Sequence, residues 1–208
     1  MYFSWIWNIR KINKLNNFTN FFSDLDKGEF KIWDLLAQGV VNKKSKFHTP
    51  TISTINGHMI NSRTIILRKV DKETKMLFFY SDSRSRKVLN IKQNDNVTVH
   101  LYEPRFKLQV QFYGHANIEN KTEKTRCIWN NLNNFSKKNY LSELSPGEKI
   151  NSLDDLKYNE DNEEAFYNFS LISFKVSKLE CLQLSDVKNI RVAFVYNKNA
   201  DKKYYMVP

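Results

Sequence analysis

Glycine and cysteine are scarce in this chain, and each shortage removes a class of function. The 208 residues hold five Gly and two Cys. No G-x-x-x-x-G-K-[ST] run occurs, so a nucleotide P-loop is excluded. Cys127 and Cys181 lie far apart and form no C-x-x-C pair. The histidines His48, His58, His100 and His115 show neither H-E-x-x-H nor zinc-type spacing. Two reduced thiols are therefore expected, and no metal. No apolar run approaches the roughly 20 residues of a membrane-spanning helix. The opening Met1–Arg10 is apolar but too short for a signal-peptide core and lacks a small-residue cleavage site. The expectation is a cytoplasmic protein whose first residues pack on the body or hang as a tail.

Nucleic-acid signatures are also missing: there is no helix-turn-helix, zinc finger or RNP-like run. What is present is charge, with 33 Lys plus Arg against 22 Asp plus Glu, a net of +11. Such an excess favours an anionic partner. The cations are spread along a Lys- and Asn-rich chain, so a phosphorylated small molecule is the better expectation, with no nucleic acid and no membrane. A hydrophobic fraction of 41%, with 15 Phe and 10 Tyr, suffices for a core.

Periodicity organises the rest. Glu29–Val41 places Phe30, Trp33, Ala37 and Val40 at helical spacing, which predicts an amphipathic helix. From His48 the period becomes two, and strands are predicted at Thr51–Asn56, Arg63–Val70, Met76–Ser81, Val97–Tyr102 and Leu108–Ile118. Asn56-Gly57 between β-rich runs is a hairpin signal. Asp82 or Ser83 is placed to cap a short helix with Val88 and Ile91 inward. A second helical region is expected over Lys121–Leu141, and a polar loop or loose helix over Asn151–Glu164. Strand character returns at Phe169–Leu184, Arg191–Tyr196 and Lys203–Val207. The fold class is mainly β, a barrel with peripheral helices. One domain is expected over 29–208, behind an N-terminal extension, 1–28.

Three stretches can carry chemistry. In Phe79-Tyr80-Ser81-Asp82-Ser83-Arg84-Ser85-Arg86-Lys87 a strand runs through hydroxyl residues into a helix start bearing adjacent cations. Free N–H groups and the dipole at a helix N-terminus favour phosphate, and cations add charge-assisted hydrogen bonds. Taken alone, a solvated capping turn explains the segment better. Arg63 and Arg68 flank a β-rich run at odd spacing, so they face opposite sides and serve different roles; two rim arginines reaching for water explain them equally well. Gln109 and Gln111 alternate with Leu108, Val110 and Phe112. Their amides can read a polar heteroaromatic edge, although the wet face of a sheet is the simpler account.

Together these pieces, in the order Ser62-Arg63-Thr64-Ile65-Ile66-Leu67-Arg68, then Phe79 to Lys87, then Gln109-Val110 and Gly114, resemble the pyridoxamine 5'-phosphate oxidase family. Lys203-Tyr204-Tyr205-Met206-Val207-Pro208 is similar to that family's terminal strand. Phe47-His48-Thr49-Pro50, Lys137 to Leu141 and Pro146-Gly147 are similar to a related FMN-binding branch. The resemblance implies a six-stranded antiparallel split barrel, a homodimer with two FMN sites at the subunit interface. By it, Arg63, Arg86 and Lys87 grip the FMN phosphate, with Thr64 in the same cofactor site. Tyr80 and Ser81 line the flavin cleft, Gln109 bonds near the isoalloxazine, and Arg68 stands beside both cofactor and substrate. In the family's reaction a B6 phosphate gives hydride to the flavin and oxygen reoxidises it.

The departures lie near the end. Where the oxidases carry an Arg-x-His-x-Arg-Phe-like motif, this chain reads Asn189-Ile190-Arg191-Val192-Ala193-Phe194. Ala193 replaces a flavin-side arginine, Arg191 stands at a substrate-side histidine, and Cys181 takes a place where tryptophan is frequent. Loss of a bidentate cation weakens contacts to a phosphorylated pyridine. Lys137, on a region that can come from the second subunit, is a candidate replacement, so Arg68, Lys137 and Arg191 form the expected substrate set. The leading expectation is an FMN-dependent oxidoreductase on a small substrate, with no side chain assigned as catalytic. A non-catalytic flavin protein for storage, sensing or electron relay is the alternative.

Overall fold

The computed structural model describes residues 20–159, 161–197 and 199–208. The reading of Met1–Arg10 lies outside them. Among the described residues nine strands form one antiparallel sheet: β1 Thr51–Asn56, β2 Met59–Thr64, β3 Leu67–Asp71, β4 Met76–Asp82, β5 Asn96–Glu103, β6 Leu108–Asn120, β7 Phe169–Gln183, β8 Ile190–Val195 and β9 Lys202–Met206. The order is β2-β1-β5-β6-β7-β4-β3, with β8 on β7 and β9 on β8. The sheet does not close, as expected of a split barrel.

The split is built into β7. Its first half, Phe169 to Lys175, pairs with β4, and its second half, Lys178 to Gln183, pairs with β8. β6 runs along the other side of both halves. The change of partner falls at a bulge, where Tyr113 pairs with Lys178 and Gly114 with Val176, leaving Ser177 between them. Ser177 Oγ then donates to Tyr113 O at 3.1 Å, and Ser177 O accepts from Tyr196 N at 2.9 Å. A bulge bends a strand and increases its twist, which is what lets one strand serve two diverging partners. Gly114 is required there: an added Cβ would sit 2.0 Å from Lys175 O.

The inner face holds a single large apolar cluster, including Ile52, Leu67, Phe79, Val99, Phe112, Leu179 and Phe194. Helix α1, Leu25–Val41, covers one side of it. Asp24 caps this helix, accepting from Asp26 N at 3.0 Å and Lys27 N at 3.2 Å. Its buried residues are Gly28, Ile32, Trp33, Leu35, Leu36 and Gly39. The stripe is therefore turned from the expected one: Phe30 is 67% exposed, with Lys72 Nζ 5.5 Å from its ring centroid. Ile32 and Leu36 outweigh Phe30 because they share a face with Trp33, whose indole donates to Tyr196 OH at 2.9 Å. Phe21 and Phe22, ahead of the helix, are also core residues.

Other elements depart from the sequence reading in detail. The expected Arg63–Val70 strand is broken: its first two residues end β2, whose Met59–Ser62 part was not foreseen, Leu67 onward forms β3, and the break falls at Ile65-Ile66. There the chain turns back to pair with the segment before β1, Ile65 N to Pro50 O and Leu67 N to His48 O, both 2.9 Å. Helix α2, Arg86–Gln93, starts behind Ser85 rather than Asp82 or Ser83. The Lys121–Leu141 region breaks into α3 Glu123–Asn130, α4 Asn134–Lys137 and a 3-10 turn, Lys138–Tyr140. The last helix, α5, spans Asn162–Asn168. Among the described residues no helix is long and apolar enough to cross a membrane.

The bulge gives the first prediction. Gly114→Ala should destabilise the fold by about 1–3 kcal/mol, the usual cost of overpacking. Gly57→Ala has open space but a φ of +59°, and should cost only the left-handed penalty of about 1–2 kcal/mol. Urea midpoints would check the order; equal losses would remove the special role of the bulge.

Candidate anion site at the start of helix α2

Arg63 stands on β2 opposite Ile52, so its side chain starts on the core side of the sheet. Its NH1 donates to Thr54 Oγ1 and to Asn61 O, each at 2.7 Å. Lys87, the second residue of α2, donates from Nζ to Ser81 Oγ at 3.1 Å and Ser85 Oγ at 3.4 Å. Those two hydroxyls are 3.0 Å apart. Ser85 is the N-cap residue, but its side chain makes no capping bond. The Arg86 and Lys87 N–H groups therefore have no acceptor among the described residues.

The charges here are unbalanced in one direction. Burial, and then the nearby Arg63 charge, push the Lys87 pKa down, with Asp82 opposing. Burial also lowers that of Arg63. Asp82 is the neighbouring carboxylate, yet Arg84 occupies it, with NH2 to Oδ2 at 2.8 Å and Nε to Oδ1 at 3.1 Å. The same guanidinium donates to Ser142 O and Glu143 O at 2.9 and 3.1 Å. Two half-buried cations, two hydroxyls and a helix N-terminus are therefore gathered with no unpaired carboxylate beside them among the described residues. A dianionic phosphate fits this chemistry.

The remaining expected residues fall into other places. Arg86, at the first position of α2, has an exposed side chain, with no hydrogen bond from it to the cluster among the described residues. Thr64 is exposed at the end of β2. Arg68 lies on the opposite side from Arg63, with its Cζ 5.4 Å from the Tyr80 ring centroid, although the two arginines stand on separate strands and the alternation argument does not run between them. Its Nε is buried and has no hydrogen-bond partner among the described residues. Burial raises the Tyr80 pKa and Arg68 partly offsets it. Tyr80 joins a small outer cluster of Trp129, Tyr140, Ala165, Phe166 and Phe169. Lys137 Nζ sits 5.3 Å from the Trp129 ring centroid.

Gln109 donates to Gln111 at 3.3 Å on the outer face of β6. Glu180 on β7, paired with Gln111 of β6, binds Lys178 at 2.5 Å and Arg191 at 3.0 Å. Burial pushes the Glu180 pKa up, but these two cations outweigh it and the net shift is down. Ala193 lies opposite Glu180 and is buried. Cys181 belongs to the core cluster, so its side chain does not stand on the face that carries Gln109 and Arg191. Among the described residues no hydrogen bond or ion pair joins Gln109, Arg191 or Lys137 to the Arg63–Lys87 group.

Sequence reasoning missed Thr54, Ser85 and Asn90, which complete the cluster, and Tyr140 and Glu180 elsewhere. Thr54 shares the inward set of β1 with Ile52, and Asn90 falls between buried Val88 and Ile91. A polar residue within a buried pattern was the available signal. The electrostatics yield a second prediction. Because the Lys87 pKa is lower folded than unfolded, the unliganded chain gains stability as pH rises through that interval, and a bound anion opposes this. Arg63→Gln should raise the Lys87 pKa; an Nζ titration by NMR that shows no movement would break the proposed coupling.

With that geometry in hand, comparison places the chain among known proteins. Residues 31–120 match the family model described as pyridoxamine 5'-phosphate oxidase, FMN-binding domain. No curated protein matches the chain in sequence. Among solved structures, a pyridoxamine 5'-phosphate oxidase-related, FMN-binding protein from Nostoc punctiforme PCC 73102 aligns with a TM-score of 0.70 at 18% identity, covering 86% of this chain and 96% of that one. PhzG from Burkholderia lata 383, solved with tetrahydrophenazine-1-carboxylic acid, aligns with a TM-score of 0.72 at 16% identity, covering 92% and 97%. At such identities the structural likeness concerns the fold, whereas the family model concerns the sequence. In sequence over residues 31–120, and in fold over most of its length, the chain resembles the FMN-binding split barrels of the pyridoxamine 5'-phosphate oxidase family.

Proposed function

We propose that this protein binds FMN and works as an FMN-dependent oxidoreductase on a small substrate. The observation that carries the reading is the Arg63–Lys87 pair, gathered with Ser81 and Ser85 at the start of α2 while Arg84 occupies Asp82. Arg63 and Lys87 would hold the FMN phosphate, with the N–H groups of Arg86 and Lys87 completing the cradle. Thr64 would lie at the edge of that site. When bound, the flavin supplies hydride-accepting chemistry, and the protein's task is binding and orientation. Tyr80 and Gln109 would border the ring. Arg68, whose buried Nε lacks a partner among the described residues, would face an anionic part of the cofactor or substrate.

Gln109, Arg191 and Lys137 lie apart from the phosphate cradle within one chain, so a homodimer is the arrangement that would unite them. A second reading, flavin binding without turnover, has its own support. Arg191 is engaged by Glu180 at 3.0 Å, and Ala193 offers no cation, which leaves little free positive charge there for a phosphorylated pyridine. Fold does not fix the substrate either, since PhzG shares the fold and its structure holds tetrahydrophenazine-1-carboxylic acid.

Titration of the purified protein with FMN is the direct test. Arg63→Ala and Lys87→Ala should each weaken FMN about tenfold to a hundredfold, as expected for a lost charge-assisted hydrogen bond. Lys202→Ala, on the exposed β9 edge, should change nothing. Failure of the wild-type chain to take up FMN would overturn the proposal. Pyridoxamine 5'-phosphate added in air then separates the two readings: pyridoxal phosphate and peroxide support the oxidase, and tight binding without turnover supports the alternative or another substrate. A dimer should sediment at about twice 24.8 kDa.

A further inference from the structure

Among the described residues, Arg63 is held by only one of its nitrogens. NH1 is committed to Thr54 Oγ1 and Asn61 O, while Nε and NH2 have no protein acceptor among the described residues. That pair of nitrogens is the edge with which a guanidinium takes an oxyanion bidentately. Thr54 Oγ1 also accepts from Asn90 Nδ2 at 3.1 Å. A hydroxyl oxygen has two lone pairs, and here each serves a different element. Thr54 is 0% and Asn90 2% exposed, so neither is placed to meet a ligand in the open. Asn90 stands three residues beyond Lys87, on the neighbouring turn of the same helix side. One buried oxygen on β1 thus ties the arginine of β2 to the helix that carries the lysine.

Resting on the FMN reading above, we propose that Thr54 and Asn90 are positioning residues for the phosphate: they fix the Arg63 guanidinium so that its free edge faces the start of α2. The physical need is clear. An arginine side chain has many rotamers, and two like charges held close would separate in the absence of an anion. Locking NH1 in advance moves the cost of ordering Arg63 from binding to folding. A valine would fill the Thr54 volume, so packing alone does not account for a buried hydroxyl among Ile52, Val97 and Val99.

The test compares FMN with riboflavin, which carries the same ring without the phosphate. Thr54→Val should weaken FMN about tenfold and leave riboflavin unchanged. Thr54→Ser, which keeps the hydroxyl, should bind FMN as the wild type does. In an Arg63→Ala background Thr54→Val should add little, since both changes remove the same interaction. If Thr54→Val does not fold, Asn90→Ala is read by the same ratio, with a smaller loss confined to FMN. Equal weakening of both flavins would show a merely structural role and overturn the inference. So would an unchanged FMN affinity in Thr54→Val alongside a loss in Arg63→Ala, which would leave the FMN reading standing. A wild-type chain that binds neither flavin would overturn the FMN reading and this inference with it.

Discussion

The antiparallel ladder between β6 and β7 carries the rest of the molecule. It runs from Leu108 opposite Gln183 to Asn120 opposite Ser170. Because β7 changes its other partner from β4 to β8 near Ser177, both the β4-β3 wing and the β8-β9 wing are attached to the rest of the sheet at this ladder. One consequence is the burial of the first half of β7 on both faces. Leu171 and Phe169 lie outward, Phe169 in the aromatic cluster with Trp129 and Tyr140, while Ile172 and Phe174 lie in the main core. Helices α3 and α5 contact this half. The other consequence is that β4 is held firmly up to Asp82, the residue from which the turn to α2 departs.

From that fixed strand end the candidate site follows by electrostatics. Folding brings Arg63 from one hairpin and Lys87 from a helix into a region where both lose hydration. Like charges in such a place raise the free energy of the empty site, and an anion lowers it. The Asp82–Arg84 pair keeps the nearest carboxylate from acting as that anion. Its bonds to Ser142 O and Glu143 O also hold the chain beyond α3 against the turn. The outer face shows the reverse arrangement. There Glu180 engages both Lys178 and Arg191 within the chain, so the two ends of the sheet offer different chemistry to a ligand.

Local signals were legible wherever the physics was local. Asn56-Gly57 forms the predicted hairpin because a left-handed position, φ +59° at Gly57, closes a tight turn between strands. Period two marked most strand cores, and the cation-bearing turn after β4 stood out as a strand feeding a helix. Where competing residues had to be ranked, the sequence was ambiguous. Phe30 is a better hydrophobe than Gly39, yet Gly39 is buried because an added Cβ would lie 2.7 Å from the Phe47 Cβ. The break at Ile65-Ile66 was hidden because apolar β-branched residues read as uninterrupted strand. Its cause is pairing with His48 and Pro50, which no local pattern reveals.

The sequence by itself determined the class of the fold, the positions of nearly all strands, and the residue types from which an anion site can be made. Alternation and turn chemistry act over a few residues, so they survive in a linear reading. Only the tertiary structure decided which cations meet. Arg63 and Lys87 are brought together by a β1 hydroxyl and a helix amide, whereas Arg86, adjacent to Lys87, points to solvent and Arg68 turns to the other side. That selection depends on long-range pairing and on desolvation at one rim of the sheet. Both are properties of contacts between distant segments, and no window of sequence contains them.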